Sequence, residues 1–460
     1  MTTLLRATTA TSLCFNHAGA SPSSAAVVHC MTQHLQLEQR LGGYQAARTV
    51  QDELAAVYTR AAQLIHAASP HEIALTESAT VAWTRLFYAF CAHHQEQEHG
   101  RHRRRQSSHK KVILVAQAEY AANLVAASQW ATTHPGWTVQ ALPSVVDENG
   151  QNTGKVDMDA LKSMLAGKYR INDNTILDPA SIAVVCVTHV PTNAGIVNPM
   201  TEIGQCLADY NNNNQRRNGD NGKILYLADT CQSVGHLPIH VQEMQCDGLV
   251  ATGRKYLRGP RGTGFLYLRE QIANRIMPHH VDHYGVPVSA VPSAVDIVRG
   301  RPVQDVLAYA PRRGSKRFEF WESNVAGRLG LGQALSEVLE RGQDSITDTI
   351  FARTQYLVEK LLQVQNHQIT LHHCPPQCGI VTFWVPGIES ARLFGALLAP
   401  STDGIVFETS VVPATSTPLD SALTGVPDLL RASVSYTTTE DEIDLFVHRL
   451  DDILKNDMTT

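Results

Sequence analysis

The sequence predicts an α/β fold built on a large, mostly parallel sheet that helices cover on both faces. Short runs that are apolar on both faces alternate with longer helical stretches, which is typical of buried parallel strands joined by crossover helices. The chain has 460 residues, of which 43% are hydrophobic and 18% are charged. These proportions are sufficient to bury sizeable cores, and they exclude a mainly disordered chain.

The elements of the large sheet are predicted in the first 270 residues. A helical stretch covers 27–66 and is interrupted at Gly42 and Gly43. A strand at 73–75, a turn and a helix at 79–90 follow, and this arrangement leaves free backbone N–H groups at the start of the helix. Further strands are predicted from continuous apolar runs at 111–115, 182–187, 224–228, 248–251 and 265–268.

A second, smaller α/β unit is predicted from about residue 330 onward. Its elements are a long helix that starts at 330–340 and continues through 351–364, strands near 379–384 and 431–434, and a closing helix near 441–454.

The predicted domain organisation has three parts, with the boundary between the two domains near 320–330. Residues 1–40 form an N-terminal arm that contributes to the small domain and to the mouth of the active site. Residues 41–325 form the large domain, and residues 326–460 form the small C-terminal domain.

The charge balance excludes a chain-wide basic field for nucleic acid, since the net charge is −5 and the pI is about 6.5. Two polar stretches are predicted to be insertions: 93–111 is charged and lacks apolar periodicity, and 211–222 is of low complexity and turn-rich. The basic part at 101–111 could form a nucleic-acid or nuclear-localisation patch, but its acidic and neutral neighbours favour a solvated loop.

Hydropathy and cysteine usage predict a soluble, cytoplasmic protein with reduced thiols. The sequence has no run of about 20 apolar residues, and its N-terminus lacks the apolar region of a signal peptide. The nine cysteines are scattered rather than arranged as a disulfide scaffold. The cluster from His372 to Cys378 does not have a common zinc-ligand spacing, so no metal site is expected.

The segment 224–268 contains the residues that indicate chemistry. The strand at 224–228 is followed by Asp229 and, three residues later, by Gln232. The next strand ends in Thr252-Gly-Arg-Lys255, so an acid and a lysine follow parallel strands, where ligands of α/β sheets collect. Catalysis by pyridoxal phosphate (PLP) needs this pair, because a lysine forms a Schiff base and an acid keeps the pyridine nitrogen protonated.

These motifs resemble the class V aminotransferase family, which includes cysteine desulfurases, selenocysteine lyases and sulfoxide lyases. The resemblance covers nearly the whole chain and implies the PLP-dependent transferase fold type I. It implies a seven-stranded-type, mostly parallel sheet in a PLP-binding large domain, together with a smaller C-terminal α/β domain. It also implies a homodimer with active sites at the interface.

Roles for the central motif follow from the resemblance. Lys255 is the lysine that forms the Schiff base, and Asp229 pairs with the pyridinium nitrogen; both are catalytic. Gln232 binds the phenolic oxygen of the cofactor and Thr252 binds its phosphate. Arg254 supports the phosphate contact in place of the family's usual histidine, which keeps a cationic donor there.

Other matches add cofactor and substrate contacts. Ser78 and Ala79, at the start of a predicted helix, resemble the turn that holds the phosphate, although a plain helix cap has the same pattern. Tyr120 takes the place of a ring-stacking histidine, so stacking is retained and acid–base capacity near neutral pH is lost. Asn193 is implied to reach both the substrate carboxylate and the cofactor, and Arg431 is implied to bind the substrate α-carboxylate through two hydrogen bonds.

Two further segments complete the predicted site. The stretch 317–324 resembles the one that contributes a phosphate contact from the neighbouring subunit, with Glu322 and Ser323 as possible donors and Ser323 as the expected one. Asn16 and His17 resemble residues at the substrate mouth of ergothioneine-type enzymes, although a histidine that packs on its own turn would have the same pattern.

One absence predicts which member of the family this is. Desulfurases present a catalytic cysteine on a small-domain loop, and this chain has no cysteine between Leu393 and Leu430. The expected reaction is therefore β-elimination from a cysteine S-conjugate, most closely that of hercynylcysteine sulfoxide lyases, which release pyruvate and ammonia. Cysteine or selenocysteine lyase, epimerase, cyclisation and aminotransferase activities remain alternatives within the family. An inactive cofactor-binding protein or a nucleic-acid-associated one is the alternative outside it.

Overall fold

A computed structural model describes residues 11–102, 110–218, 222–364 and 369–457 of the chain. The strands are β1 (Thr11–Cys14), β2 (Ile73–Thr76), β3 (Lys111–Ala116), β4 (Trp137–Leu142), β5 (Ser144–Val146), β6 (Asn152–Val156), β7 (Arg170–Asn172), β8 (Thr175–Ile176), β9 (Ile182–Thr188), β10 (Leu225–Asp229), β11 (Gly248–Thr252), β12 (Gly264–Leu268), β13 (Val288–Ala290), β14 (Ala308–Tyr309), β15 (Thr370–Leu371), β16 (Ile380–Trp384), β17 (Ile405–Glu408), β18 (Ser410–Val412) and β19 (Leu429–Ser433).

The α-helices connect and cover these strands. They are α1 (Ala25–Leu41), α2 (Gly43–Thr49), α3 (Gln51–Leu64), α4 (Ala79–His102), α5 (Ala121–Thr133), α6 (Met158–Leu165), α7 (Met200–Asn218), α8 (Val241–Met244), α9 (Glu270–Ala273), α10 (Ala294–Val298), α11 (Val303–Val306), α12 (Val325–Arg341), α13 (Gln343–Leu362), α14 (Ser390–Leu398), α15 (Pro418–Thr424) and α16 (Glu440–Asp457).

The largest sheet has seven strands in the order β2-β12-β11-β10-β9-β3-β4. β12 is antiparallel to both of its neighbours, and the other pairs in the sheet are parallel. The predicted α/β fold with a large, mostly parallel sheet is confirmed by this topology.

Burial on both faces explains why the sheet strands are apolar throughout. In β10, Leu225 and Leu227 pack into one core with α4 and α5, whereas Tyr226 and Ala228 pack into the opposite core with α3 and α7. Side chains alternate across a strand, so each face needs its own apolar set when both faces are covered.

The small domain contains a four-stranded antiparallel sheet in the order β15-β16-β19-β18. The N-terminal strand β1 pairs in parallel with β17, and the chain continues to a bridge between Asn16 and Ser433 of β19. These contacts attach the N-terminal arm to the C-terminal part of the chain. The domain limits drawn from the sequence stay a prediction.

Two elements differ from the sequence analysis. The seven-stranded sheet ends in β4, an edge strand that the apolar runs did not reveal because its middle residues are partly or fully exposed. The predicted long helix from 330 to 364 is two helices, since Gly342 adopts a φ of 86° between α12 and α13. Residues that carry a Cβ rarely adopt this conformation, so Gly342 allows α12 to end and α13 to begin in a new direction.

The two polar insertions are partly helical. Residues 211–218 continue α7, and the side chain of Asn211 bonds both the N–H and the C=O of Ile224. The first part of 93–111 belongs to α4, which extends to His102. Most of the basic run 101–111 lies outside the described residues. No helix within the described ranges is long and apolar enough to cross a membrane.

Two glycine-to-alanine changes should have opposite effects on stability. In α7, a Cβ at Gly204 would clash with the carbonyl oxygen of Met244, whereas a Cβ at Gly395 in α14 would have nothing within 4 Å. We expect Gly204→Ala to lower the free energy of unfolding by about 2 kcal/mol or more. Gly395→Ala should raise it by about 0.5–1 kcal/mol, measured by urea denaturation. Equal effects would contradict the close approach of α7 to Met244.

Candidate active site

A cavity of about 200 Å³ lies at the carboxyl ends of the central strands. β10 ends at Asp229, and its parallel neighbour β11 ends at Thr252, three residues before Lys255. The structure therefore brings together residues that are far apart in sequence. The predicted site residues in the cavity lining are Ser78, Ala79, Tyr120, Asp229, Gln232, Thr252, Arg254, Lys255 and Arg431.

The carboxylate of Asp229 is fixed by a donor on each oxygen. Its Oδ2 accepts a 2.8 Å hydrogen bond from Asn123 Nδ2, and its Oδ1 accepts a 2.9 Å bond from the backbone N–H of Cys231. Each carboxylate oxygen has two lone pairs, so both retain acceptor capacity for a ligand. Asp229 can therefore accept a hydrogen bond from a protonated ring nitrogen.

Lys255 has a side chain suited to nucleophilic and acid–base chemistry. Burial lowers the pKa of its amine to about 8, and the positive charge of Arg254 acts in the same direction. A lysine of ordinary pKa is almost fully protonated at neutral pH, whereas this one has an appreciable neutral fraction. The neutral amine is the form that attacks a carbonyl carbon or accepts a proton.

One end of the cavity presents donors for an anion. α4 begins at Ala79, and the Ser78 Oγ accepts a hydrogen bond from the N–H of Val81 in its first turn. The N-terminus of a helix attracts anions because its first N–H groups have no partners within the helix. Thr252 and Arg254 line the same cavity, so hydroxyl and guanidinium donors are available to a phosphate there.

Gln232 lies between the N-terminal arm and the cavity. Its Nε2 donates a 3.1 Å hydrogen bond to the carbonyl of Ala18, while its buried Oε1 has no partner among the described residues. A buried polar atom without a partner is costly, which indicates that a bound group or water completes this site. The lysine, the aspartate, the anion-binding end and this amide together fit PLP.

Arg431 lies on β19 at the small-domain side of the cavity. Its Nη1 donates to Oγ1 of Thr192 at 2.7 Å, its Nε to Oγ of Ser410 at 3.0 Å, and its Nη2 to Oδ1 of Asn16 at 3.4 Å. These partners are neutral, and burial lowers the pKa of Arg431 to about 10. The guanidinium remains charged at neutral pH and can take a carboxylate as its counter-ion.

The other predicted substrate residues do not line the cavity, and two of them, Asn16 and Asn193, lie near this arginine. Asn16 contacts Arg431, and Asn193 is buried next to Thr192, where its Nδ2 donates to Oδ2 of Asp420 at 2.8 Å. His17 is buried, with its Nδ1 2.8 Å from Oγ of Ser21, and burial lowers its pKa to about 3. Direct substrate contacts by Asn16, Asn193 and His17 stay predictions.

The remaining predicted residues are partly or fully exposed. Ser323 lies in the stretch between Trp321 and α12 and does not line the cavity of its own chain. Its predicted contact, and that of Glu322, would be made across a dimer. Tyr120 lines the cavity and is 42% exposed, so its ring is accessible to a bound ligand.

Sequence reasoning did not single out a polar group behind Asp229. Glu119 and Asn123 follow β3 at a spacing of four residues, and Thr188 ends β9. Asn123 and Thr188 each donate a hydrogen bond to Glu119, and Asn123 also donates one to Asp229. Two polar residues after a buried strand were a signal, but only the sheet order shows that β3, β9 and β10 are neighbours.

The family model described as "Aminotransferase class-V" matches residues 14–446. The chain belongs to the aminotransferase class-V family. This confirms the family expected from the motifs and, with it, PLP as the cofactor, since enzymes of this family depend on PLP. Within the described residues, no group of three or more His, Cys, Asp and Glu side chains could hold a metal ion.

Relatives and solved structures agree with this assignment. A cysteine desulfurase of Yersinia pseudotuberculosis is 27% identical over 404 residues, covering 88% of this chain and 83% of the relative. The structure of Escherichia coli cysteine desulfurase CsdA, in its S-sulfonic acid form, gives a TM-score of 0.74 at 18% identity and covers 96% of this chain and 94% of that chain. The cystine C–S lyase C-DES gives 0.70 at 22% identity, with 95% and 97% covered. These likenesses show that the fold is shared.

The lowered pKa of Lys255 can be measured on the protein without cofactor. We expect the rate of acetylation of Lys255 to rise with pH with a midpoint near 8, because only the neutral amine reacts. Mass spectrometry of the peptide that contains Lys255 measures this rate, with the exposed Lys162 as a reference in the same sample. A midpoint at the ordinary lysine value of about 10.4 would contradict the desolvated site.

Proposed function

We propose that this protein is a PLP-dependent carbon–sulfur lyase that catalyses β-elimination from a cysteine S-conjugate, and that its substrate is hercynylcysteine sulfoxide. Its products would be pyruvate, ammonia and, after reduction of the released sulfur, ergothioneine. The observation that carries the proposal is the segment 393–430, which contains no cysteine. This segment contains the end of α14, then β17, β18 and α15, and the first residues of β19.

Substrate binding in this proposal depends on Arg431. Its planar guanidinium can hold the α-carboxylate of an amino acid through two hydrogen bonds. Thr192, Ser410 and Asn16 fix the orientation of that guanidinium. With the carboxylate held on the small-domain side, the α-carbon of the substrate would lie towards Lys255.

Proton transfer in this proposal is carried out by Lys255. Its neutral amine would remove the α-proton of the bound substrate, and its lowered pKa makes that form available near pH 8. Bound PLP supplies an electron sink that stabilises the resulting negative charge. Asp229, held by Asn123 and Cys231, would keep the ring nitrogen protonated so that the ring can accept electrons.

Cleavage of the Cβ–S bond then needs no enzyme thiol. A sulfoxide leaves more readily than a thioether, and its sulfur departs as a sulfenic acid that an external thiol can reduce. The three-carbon fragment hydrolyses to pyruvate and ammonia. Cys231 lines the cavity, but burial raises the pKa of its thiol well above the usual value, which disfavours the reactive thiolate.

The proposal includes a homodimer with active sites at the interface. Support comes from large apolar side chains on the segment before Ser323: Val291 is 90% exposed, Val298 is 86% exposed and Trp321 is 52% exposed. Exposed apolar patches of this kind usually mark an interaction surface. In this proposal a second copy covers this surface, and Ser323 would contact the phosphate in the site of that copy.

Removing the lysine amine should abolish cofactor attachment. The wild-type protein with PLP should be yellow, and borohydride should bleach it by reducing the bond between Lys255 and the cofactor. Lys255→Ala should give no covalent adduct in the mass spectrum after borohydride. The exposed Lys162→Ala variant serves as a matched control and should retain the adduct. A wild-type protein that stays colourless with added PLP would contradict this assignment.

A panel of substrates tests the proposed leaving group. Pyruvate is measured with hercynylcysteine sulfoxide, a second cysteine S-conjugate sulfoxide, cysteine and selenocysteine, each with an external thiol present. We expect kcat/KM for hercynylcysteine sulfoxide to exceed that for cysteine by at least about tenfold. Equal pyruvate formation from all four compounds, or pyruvate from cysteine alone, would contradict the proposed leaving group. Alanine is measured in the same samples, and alanine formed from cysteine or selenocysteine would favour the desulfurase-like alternative.

A further inference from the structure

A single side-chain amide links two buried carboxylates behind the cavity. Asn123 Nδ2 lies 2.7 Å from Oε1 of Glu119 and 2.8 Å from Oδ2 of Asp229. A side-chain amide nitrogen has two hydrogens, so it can donate to both acids at once. Glu119 and Asp229 are only 1% and 5% exposed, so solvent screens this pair weakly.

Glu119 is surrounded by donors. Besides Asn123, the Thr188 hydroxyl lies 2.5 Å from its Oε1 and the backbone N–H of Tyr120 lies 3.2 Å from the same oxygen. The backbone N–H of Thr188 donates to Oε2 at 3.1 Å. Hydrogen bonds to both oxygens stabilise the ionised form of this carboxyl group relative to its neutral form.

Keeping Glu119 ionised has an electrostatic cost that these hydrogen bonds offset only in part. The described residues give Glu119 no ion pair with a lysine or arginine, and burial together with the charge of Asp229 raises the pKa of Glu119 to about 7. A cation beside Asp229 would lower this cost, because it would attract both acids. The protonated ring nitrogen of PLP is such a cation. If residue 119 served only for packing, a neutral glutamine would fill the same space without this cost.

We propose that Glu119 is a positioning residue for the cofactor: through Asn123 it orients the carboxylate of Asp229, and its negative charge helps to keep the PLP ring nitrogen protonated. The inference rests on PLP binding and does not depend on the identity of the leaving group. Glu119 acts through Asp229 and does not touch the reacting atoms.

Other ionisable groups near Glu119 cannot replace its charge. Asp229 faces it from β10, Cys186 from β9 and Tyr226 from the interior of β10. Burial raises the pKa of Cys186 and of Tyr226 well above their usual values, so both are neutral near pH 7. Among the described residues behind Asp229, only Glu119 can therefore carry a negative charge near pH 7, and its substitution removes that charge.

The test measures the protonation of the ring nitrogen directly, in the protein with bound PLP and without substrate. PLP labelled with ¹⁵N in its ring is bound to the wild-type protein and to Glu119→Gln, and the ¹⁵N chemical shift is followed by NMR against pH. We expect the midpoint of nitrogen deprotonation in Glu119→Gln to fall by at least about one pH unit, because a nearby negative charge has been removed. Glu119→Asp retains the charge and should stay closer to the wild type.

A matched control separates this effect from a general loss of a buried acid. Asp247 is also buried, but it lies at the opposite end of the strands, immediately before β11, where it bonds Lys223 Nζ at 2.7 Å. Asp247→Asn should leave the ¹⁵N midpoint unchanged.

If Glu119→Gln does not fold, Glu119→Ala removes the same charge and leaves space for water. An unchanged midpoint in either folded variant would overturn the proposal. So would an equal fall in Asp247→Asn. Since no substrate is present, failure of the lyase proposal would not affect these results.

Discussion

The parallel pairing of β10 with β11 is the constraint on which the site depends. Both strands end at the same edge of the sheet, so Asp229 and the turn from Thr252 to Lys255 lie beside one cavity. The strands can hold this register because each buries apolar side chains on both faces. The same burial removes water from the site, which lowers the pKa of Lys255 and raises that of Glu119.

The N-terminal arm connects the two halves of the site. The carbonyl of Ala18 accepts a hydrogen bond from Gln232, which follows β10 of the large sheet, and the N–H of Ala18 donates to the hydroxyl of Ser433 on β19. Asn16 contacts Arg431 on the same strand. The arm is thus part of the cavity wall. A change in its position would alter the hydrogen bonds of both Gln232, a predicted cofactor residue, and Arg431, the proposed carboxylate-binding residue.

Sequence patterns in this chain reveal buried elements better than exposed ones. Continuous apolar runs identified the buried strands because burial on two faces requires them, but β4 was missed because an edge strand is partly exposed. The asparagine-rich end of α7 was predicted to be a turn-rich insertion. It is helical, and its Asn211 is anchored to Ile224, a contact that composition does not reveal.

The sequence by itself determined the fold class, the family and the pair Asp229 and Lys255, because these depend on residue types at short, fixed spacings. It also established that segment 393–430 lacks a cysteine, which is the basis of the proposed reaction. Only the tertiary structure decided that Glu119 and Asn123 stand behind Asp229, and that His17 is buried against Ser21. Those contacts join separate parts of the chain or depend on the path of a turn, so the order of strands and the packing of the arm determine them.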